Sequence, residues 1–188
     1  YGKISIFVLC AKHEMAAQRA MPIMLNSWIN KFIGDTPDKR ERFVNNSKIP
    51  PLFIIGTFFN VNLEYNPLLD SEDNVSSLNY RWNQRFERTL AIELLDTDTY
   101  QWFNNWTTSE KEFKNIFLLR DFVYSESKSQ IFKGFLEHQI EKEEITPQNY
   151  PNFRKKLRES FIEYPFVKRH FQNPAESWDL AASMNEDG

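Results

Sequence analysis

Three short apolar runs, separated by stretches with helical spacing, leave this chain very few architectures to choose from. Ile4-Ser5-Ile6-Phe7-Val8-Leu9-Cys10 is almost wholly apolar and rich in β-branched residues, the pattern of a strand covered on both faces. Pro51-Leu52-Phe53-Ile54-Ile55-Gly56-Thr57 opens after a proline pair and closes at a glycine, where the chain must turn or admit a close neighbour. Asn115-Ile116-Phe117-Leu118-Leu119-Arg120-Asp121 stays apolar until it releases a charged pair. Strands separated by helical crossovers run parallel, so the expected fold class is α/β, a partial parallel sheet with helices packed on it.

The intervening segments fit that expectation. Lys12 to Gly34 carries Ile23, Met24, Trp28, Ile29, Phe32 and Ile33 at helical spacing, with Pro22 near the start of the main run and Gly34 as a stop. Asp35 to Ile49 is charged and reads as a loop with a short helical turn. Phe58 to Ser77 is irregular. Leu78 to Leu95 resumes a helical pattern, with Trp82, Phe86, Leu90 and either Leu94 or Ile92 on one face. Asp96 to Lys114 is looser, though it holds Trp102, Phe103 and Trp106. Beyond the third strand the pattern is helical: Lys128 to Ile140, Tyr150 to Tyr164, a short turn through His170, and Pro174 to Met184, which Asn173 would cap. The predicted division is an α/β part over residues 1–125 and a helical extension over 126–188.

Composition narrows the functional classes. Aromatic residues make up 15% of the chain, a load that suits a packed interior and opposes a disordered one. A formal charge of −3 supplies no field that would recruit nucleic acid or an anionic membrane surface, and neither is expected as a partner. Cys10 is the one cysteine, which excludes an internal disulfide and a multi-cysteine metal site, and at the end of an apolar run it reads as a buried thiol. No apolar stretch reaches bilayer length, and the Asn-x-Ser/Thr triplets at Asn45, Asn74 and Asn105 follow no secretory signal, so the expected location is cytoplasmic.

In sheets of this class ligands sit beyond the carboxyl ends of the strands. The residues to examine are therefore those after Cys10, around Gly56 to Asn62, and around Arg120 to Ser125. A phosphate loop needs closely spaced glycines whose N–H groups surround phosphate oxygens. Gly2, Gly34, Gly56, Gly134 and Gly188 are too far apart for that or for a dinucleotide fingerprint. GTPase-like domains end a strand here in Thr- or Asn-Lys-x-Asp; this chain has Thr57-Phe58-Phe59-Asn60, with Phe58 at the lysine position and Asn60 at the aspartate position. An amide both donates and accepts, so guanine selectivity would change; the other reading is an ordinary strand exit. Arg120 and Asp121 could line the same crevice, with the guanidinium meeting phosphate or carboxylate, or could pair and fix the strand end. The weak nucleotide-binding set is thus Thr57, Asn60, Arg120 and Asp121, with no catalytic and no metal-ligating set. His13, His138 and His170 are isolated, and Arg154-Lys155-Lys156-Leu157-Arg158 reads as a solvated helix face. The aromatic series Phe161, Tyr164, Phe166, Phe171 and Trp178 reads as core or as a docking surface for a partner protein.

Phe113-Lys114-Asn115-Ile116-Phe117-Leu118-Leu119-Arg120-Asp121, Val167-Lys168-Arg169-His170-Phe171-Gln172-Asn173-Pro174-Ala175-Glu176-Ser177-Trp178-Asp179 and the closing Met184-Asn185-Glu186-Asp187-Gly188 resemble the bacterial putative virulence-factor proteins of the SrfC type. Ile4 to Ala11 and Leu52 to Asn60 are similar to later NTPase strands of the same family. The resemblance implies a P-loop NTPase-like core with a helical extension, and it places the phosphate loop and magnesium-binding residues before Tyr1. Magnesium with GTP or ATP would then belong to the full-length parent, and the rest of that parent would be a partner of this chain. The opening Tyr1-Gly2-Lys3, directly ahead of a strand, leads to the same expectation of a segment from a larger protein. The alternative function is a non-catalytic interaction module.

Overall fold

A computed structural model of the chain describes residues 6–11, 20–63, 75–119 and 151–182. Strands β1 (Phe7–Ala11), β2 (Leu52–Gly56) and β3 (Ile116–Leu118) form a sheet in the order β1-β2-β3. Both pairings are parallel, with Leu9 opposite Ile54 and Ile54 opposite Ile116. The expected α/β class holds, and the three carboxyl ends gather along one edge.

Among the described residues the sheet is covered on one face, where the expectation was of strands buried on both sides. Leu9, Ala11, Leu52, Ile54 and Ile116 point inward and are buried. On the opposite face Val8 is 51% and Phe117 50% exposed, and Cys10 is exposed where a buried thiol was expected. Side chains alternate across a strand, so an apolar run reports only that both positions are apolar. Whether a layer lies over each face depends on the helices, and those among the described residues pack on the inner side.

Helix α1 (Ala20–Phe32) lays Pro22, Leu25, Trp28 and Ile29 on the core, with Trp28 against Phe7 at a ring distance of 5.0 Å. The buried line therefore runs through Leu25 and not through Ile23, Met24 and Phe32, which are exposed. Gly34 ends the helix at φ 155°, and a Cβ there would stand 2.6 Å from that of Lys39.

Residues 35–49, expected as a loop with a short helical turn, contain a full ten-residue helix, α2 (Pro37–Asn46). Thr36 accepts from the Lys39 N–H and Pro37 occupies the first turn, a start that its charged, weakly apolar sequence disguised. Its purpose lies in one buried cation. Arg40 donates from Nε to Trp106 O at 2.6 Å, from Nη1 to Gly34 O at 3.0 Å, and from Nη2 to Asn105 O at 2.7 Å. Glu41 accepts from the Thr108 and Ser109 N–H groups beside it. The two side chains fasten the segment after Asp96, whose Trp102, Trp106 and Phe113 rings pack on one another as part of the common core.

Helix α3 (Val75–Trp82) continues into a π-wound run, Asn83–Leu94. Its buried residues fall in pairs, Arg85 with Phe86, Leu90 with Ala91, and Leu94 with Leu95. Those pairs repeat at intervals longer than 3.6 residues, as i→i+5 winding requires. Helices α4 (Pro151–Glu163), α5 (Pro165–His170) and α6 (Pro174–Ala182) close the core. Phe161, Phe166, Phe171 and Trp178 are buried in it, and α6 begins as expected, with Asn173 Oδ1 accepting from the Glu176 N–H and Glu176 accepting from Asn173 Nδ2.

His170, expected in an unremarkable turn, lies buried between Phe103 and Phe166, at ring distances of 4.3 and 4.5 Å. Its Nδ1 meets Phe113 O at 3.1 Å, a contact that assigns the proton to Nδ1. Burial lowers its pKa from 6.5 to about 4. Between those values the unfolded chain binds more protons than the folded one. The stability contributed by the neutral ring is therefore complete above pH 6.5 and declines as pH falls toward 4.

Two outcomes are expected. Acidification from pH 7 to 4 should remove about 3 kcal/mol of unfolding free energy through this ring, read by urea titration at each pH, and His170→Phe should flatten that dependence. Arg40→Met, which leaves three carbonyls without their donor, should lower stability by about 2–4 kcal/mol at pH 7 in the same measurement.

Candidate functional site

The exit of β2 lies on the carboxyl edge of the sheet, between the ends of the other two strands. Thr57 is tied to β1, its N–H and its Oγ1 donating to Ala11 O at 2.8 and 3.2 Å. Leu119 N–H donates to Gly56 O, and Phe59 N–H to Leu119 O, so the pairing with β3 continues past the last residue of the strand. Between them Phe58 adopts φ 56°, a left-handed conformation that a residue with a Cβ holds only at a cost. The chain then winds through a tight 3-10 turn, Phe59–Leu63.

Two arginines from the helical run reach this exit. Arg81 Nη1 donates to Asn62 O at 2.6 Å, and Arg85 Nη2 donates to Thr57 O at 2.8 Å. Arg85 is only 5% exposed, and its Nη1 has no acceptor among the described residues. Burial depresses its pKa to about 10, so the guanidinium remains charged at neutral pH, and no carboxylate contributes to that shift. Asn62 Oδ1 is a second buried polar atom without a partner on the same exit.

Of the four residues singled out from the sequence, Thr57 is at this edge with its polar groups committed to Ala11 and Arg85. Asn60 falls within the 3-10 turn, and Arg120 and Asp121 lie outside the described residues. Arg85 was missed. It sits among residues whose helical spacing marks a core face, and a charged side chain there looks like a break in the pattern. The available signal was its place beside Phe86 in an otherwise apolar stripe.

The groove between α3 and α4 encloses about 840 Å³ and is bordered by Tyr80, Asn83, Lys156, Glu159 and Tyr164. It is open and shallow, and its charges are those of solvated helix faces. No group of His, Cys, Asp and Glu able to hold a metal occurs among the described residues, and no helix among them is long and apolar enough to cross a membrane.

The model of a family described as putative bacterial virulence factor matches residues 2–188. The chain belongs to that family. No curated protein and no solved structure matches it. Family membership thus rests on the whole length of the chain, while the chemistry of a virulence-factor protein of this kind has to be sought in its own residues.

Gly56 is the residue of this edge that tolerates least. A Cβ there would stand 2.9 Å from Arg85 Nη2 and 3.1 Å from Leu118 Cδ2. Gly56→Ala should displace the guanidinium from Thr57 and lower stability by about 1–3 kcal/mol in urea unfolding, since a buried charged donor loses its acceptor.

Proposed function

We propose that the chain is a nucleotide-binding-type α/β unit, GTPase-like or derived from a P-loop NTPase, that binds its ligand without turning it over. The observation that carries this reading is the gathering of three parallel strand ends at one edge, where the β2 exit combines a strained backbone with buried, incompletely bonded polar groups. Open α/β sheets bind ligands at that edge. The glycine spacing of a phosphate loop is missing from the sequence, and hydrolysis is not expected without a device that holds the γ-phosphate and its magnesium. The resemblance to SrfC-type proteins agrees with this reading and would put that device on the parent protein.

A second reading has one observation in its favour. The outer face of the sheet offers Val8, Phe117 and Cys10 to solvent beside half-buried Phe53 and Ile55, as a non-catalytic interaction module would. The rings of the C-terminal helices, by contrast, are spent on the core.

Equilibrium dialysis of the whole chain with labelled ATP and GTP tests the first reading. Binding is expected, with guanine favoured over adenine by less than tenfold, or about 1.4 kcal/mol. Phosphate release should stay at the buffer rate. Turnover that disappears on substitution of Arg120 or Asp121 would overturn the non-catalytic reading, and absence of binding at millimolar nucleotide would leave the interaction module in its place.

A further inference from the structure

Two arginines are buried among the described residues, and they are treated in opposite ways. Arg40 has every guanidinium nitrogen engaged by a backbone carbonyl. Arg85 has one engaged nitrogen, at Thr57 O, and a buried Nη1 with none. An unmatched charged donor in the interior is among the most costly features a fold can carry, and native structures seldom keep one without a use. The position of the mismatch is specific: Gly56 and Thr57 place the guanidinium under the carboxyl end of the central strand. Arg81 reaches the same exit segment from one helical turn earlier. No acidic side chain ion-pairs with Arg85 among the described residues.

We propose that Arg85 is a phosphate-binding residue, its Nη1 receiving an oxyanion that enters over the Thr57–Leu63 exit. The guanidinium geometry suits a tetrahedral oxyanion, whose oxygen completes the charge-assisted bonding that the protein leaves unfinished. Thr57 O fixes Nη2 and thereby aims the other nitrogen. Entry requires the turn to open at residues 60–62, between Phe59 and Leu63, which stay anchored in the core beside the left-handed Phe58. The inference deepens the nucleotide reading by assigning the phosphate end of the ligand, and it rests on that reading for the ligand's remainder.

The experiment uses the whole chain with its arginine side chains labelled with 15N. Inorganic phosphate, ATP and GTP are titrated separately while the Arg85 guanidinium resonance is followed, and affinities are measured by calorimetry. Arg85→Lys keeps the charge but loses the fork, and Arg88→Met removes an exposed arginine that pairs with Glu93 and serves as control. Phosphate should shift the Arg85 resonance in the wild-type chain, and Arg85→Lys should weaken phosphate and nucleotide by about tenfold or more while the control stays unchanged. Phosphate binding that depends on Arg85, with nucleotides binding no more tightly than phosphate, would support this residue's role and remove the nucleotide reading. Nucleotide binding that is equal in the wild type and in Arg85→Lys would do the reverse. An Arg85 resonance unmoved by all three ligands would overturn the proposal directly, whether or not the variant folds.

Discussion

Everything at the β2 exit depends on an aromatic contact set centred on Phe59. Its ring meets Trp82 at 6.2 Å in a stacked geometry and meets Phe161 and Trp178 edge-on at 6.0 Å. Three helices, α3, α4 and α6, are thereby held against one residue of the strand exit. Trp82 adds direction, because its indole N–H donates to Ser160 Oγ at 2.9 Å and so cannot turn freely within the cluster. Aromatic pairs of this kind contribute about 0.5–1.5 kcal/mol each beyond area burial. Their structural effect is larger than that figure suggests, since the position of Trp82 determines where Arg85, three residues on, arrives beneath the sheet.

The two buried arginines show how one side chain type can serve opposite ends. A guanidinium inside a protein is tolerable when carbonyl oxygens replace the water it has lost. Arg40 meets that condition completely and functions as a rivet between α2 and the aromatic segment around Trp106, whose ring also faces it at 5.7 Å. Arg85 meets it only in part, at the one edge where parallel sheets present strand ends to a ligand. Full satisfaction marks Arg40 as a structural cation, and the partial satisfaction of Arg85 at a strand end is the observation behind the proposed phosphate contact.

The one-sided sheet bears on the same point. Parallel strands are usually covered on both faces, because each crossover deposits a helix and both sets of side chains are apolar. Here the outer row through Val8 and Phe117 stays open while Leu9, Ile54 and Ile116 are sealed by the inner helices. Among the described residues, the aromatic core on the inner side is what packs the sheet in place.

The sequence by itself determined the strands, their parallel pairing and most of the helices, because these follow from local periodicity and from connection lengths. It also located the cap at Asn173 and the edge at Gly56 and Thr57, where small and polar residues interrupt apolar runs. Tertiary structure decided what no period encodes. It showed that α2 is a helix anchored by Arg40, that Ile23 and Met24 face outward, that Cys10 is exposed, and that His170 is buried among rings. The physical reason is common to all four. Burial of a polar or apolar side chain depends on which distant segment lies over it, and hydrogen-bond partners such as Asn105 O for Arg40 are supplied from far along the chain. Arg85 follows the same rule: its type was visible in the sequence, but its missing partner became apparent only once the fold had enclosed it.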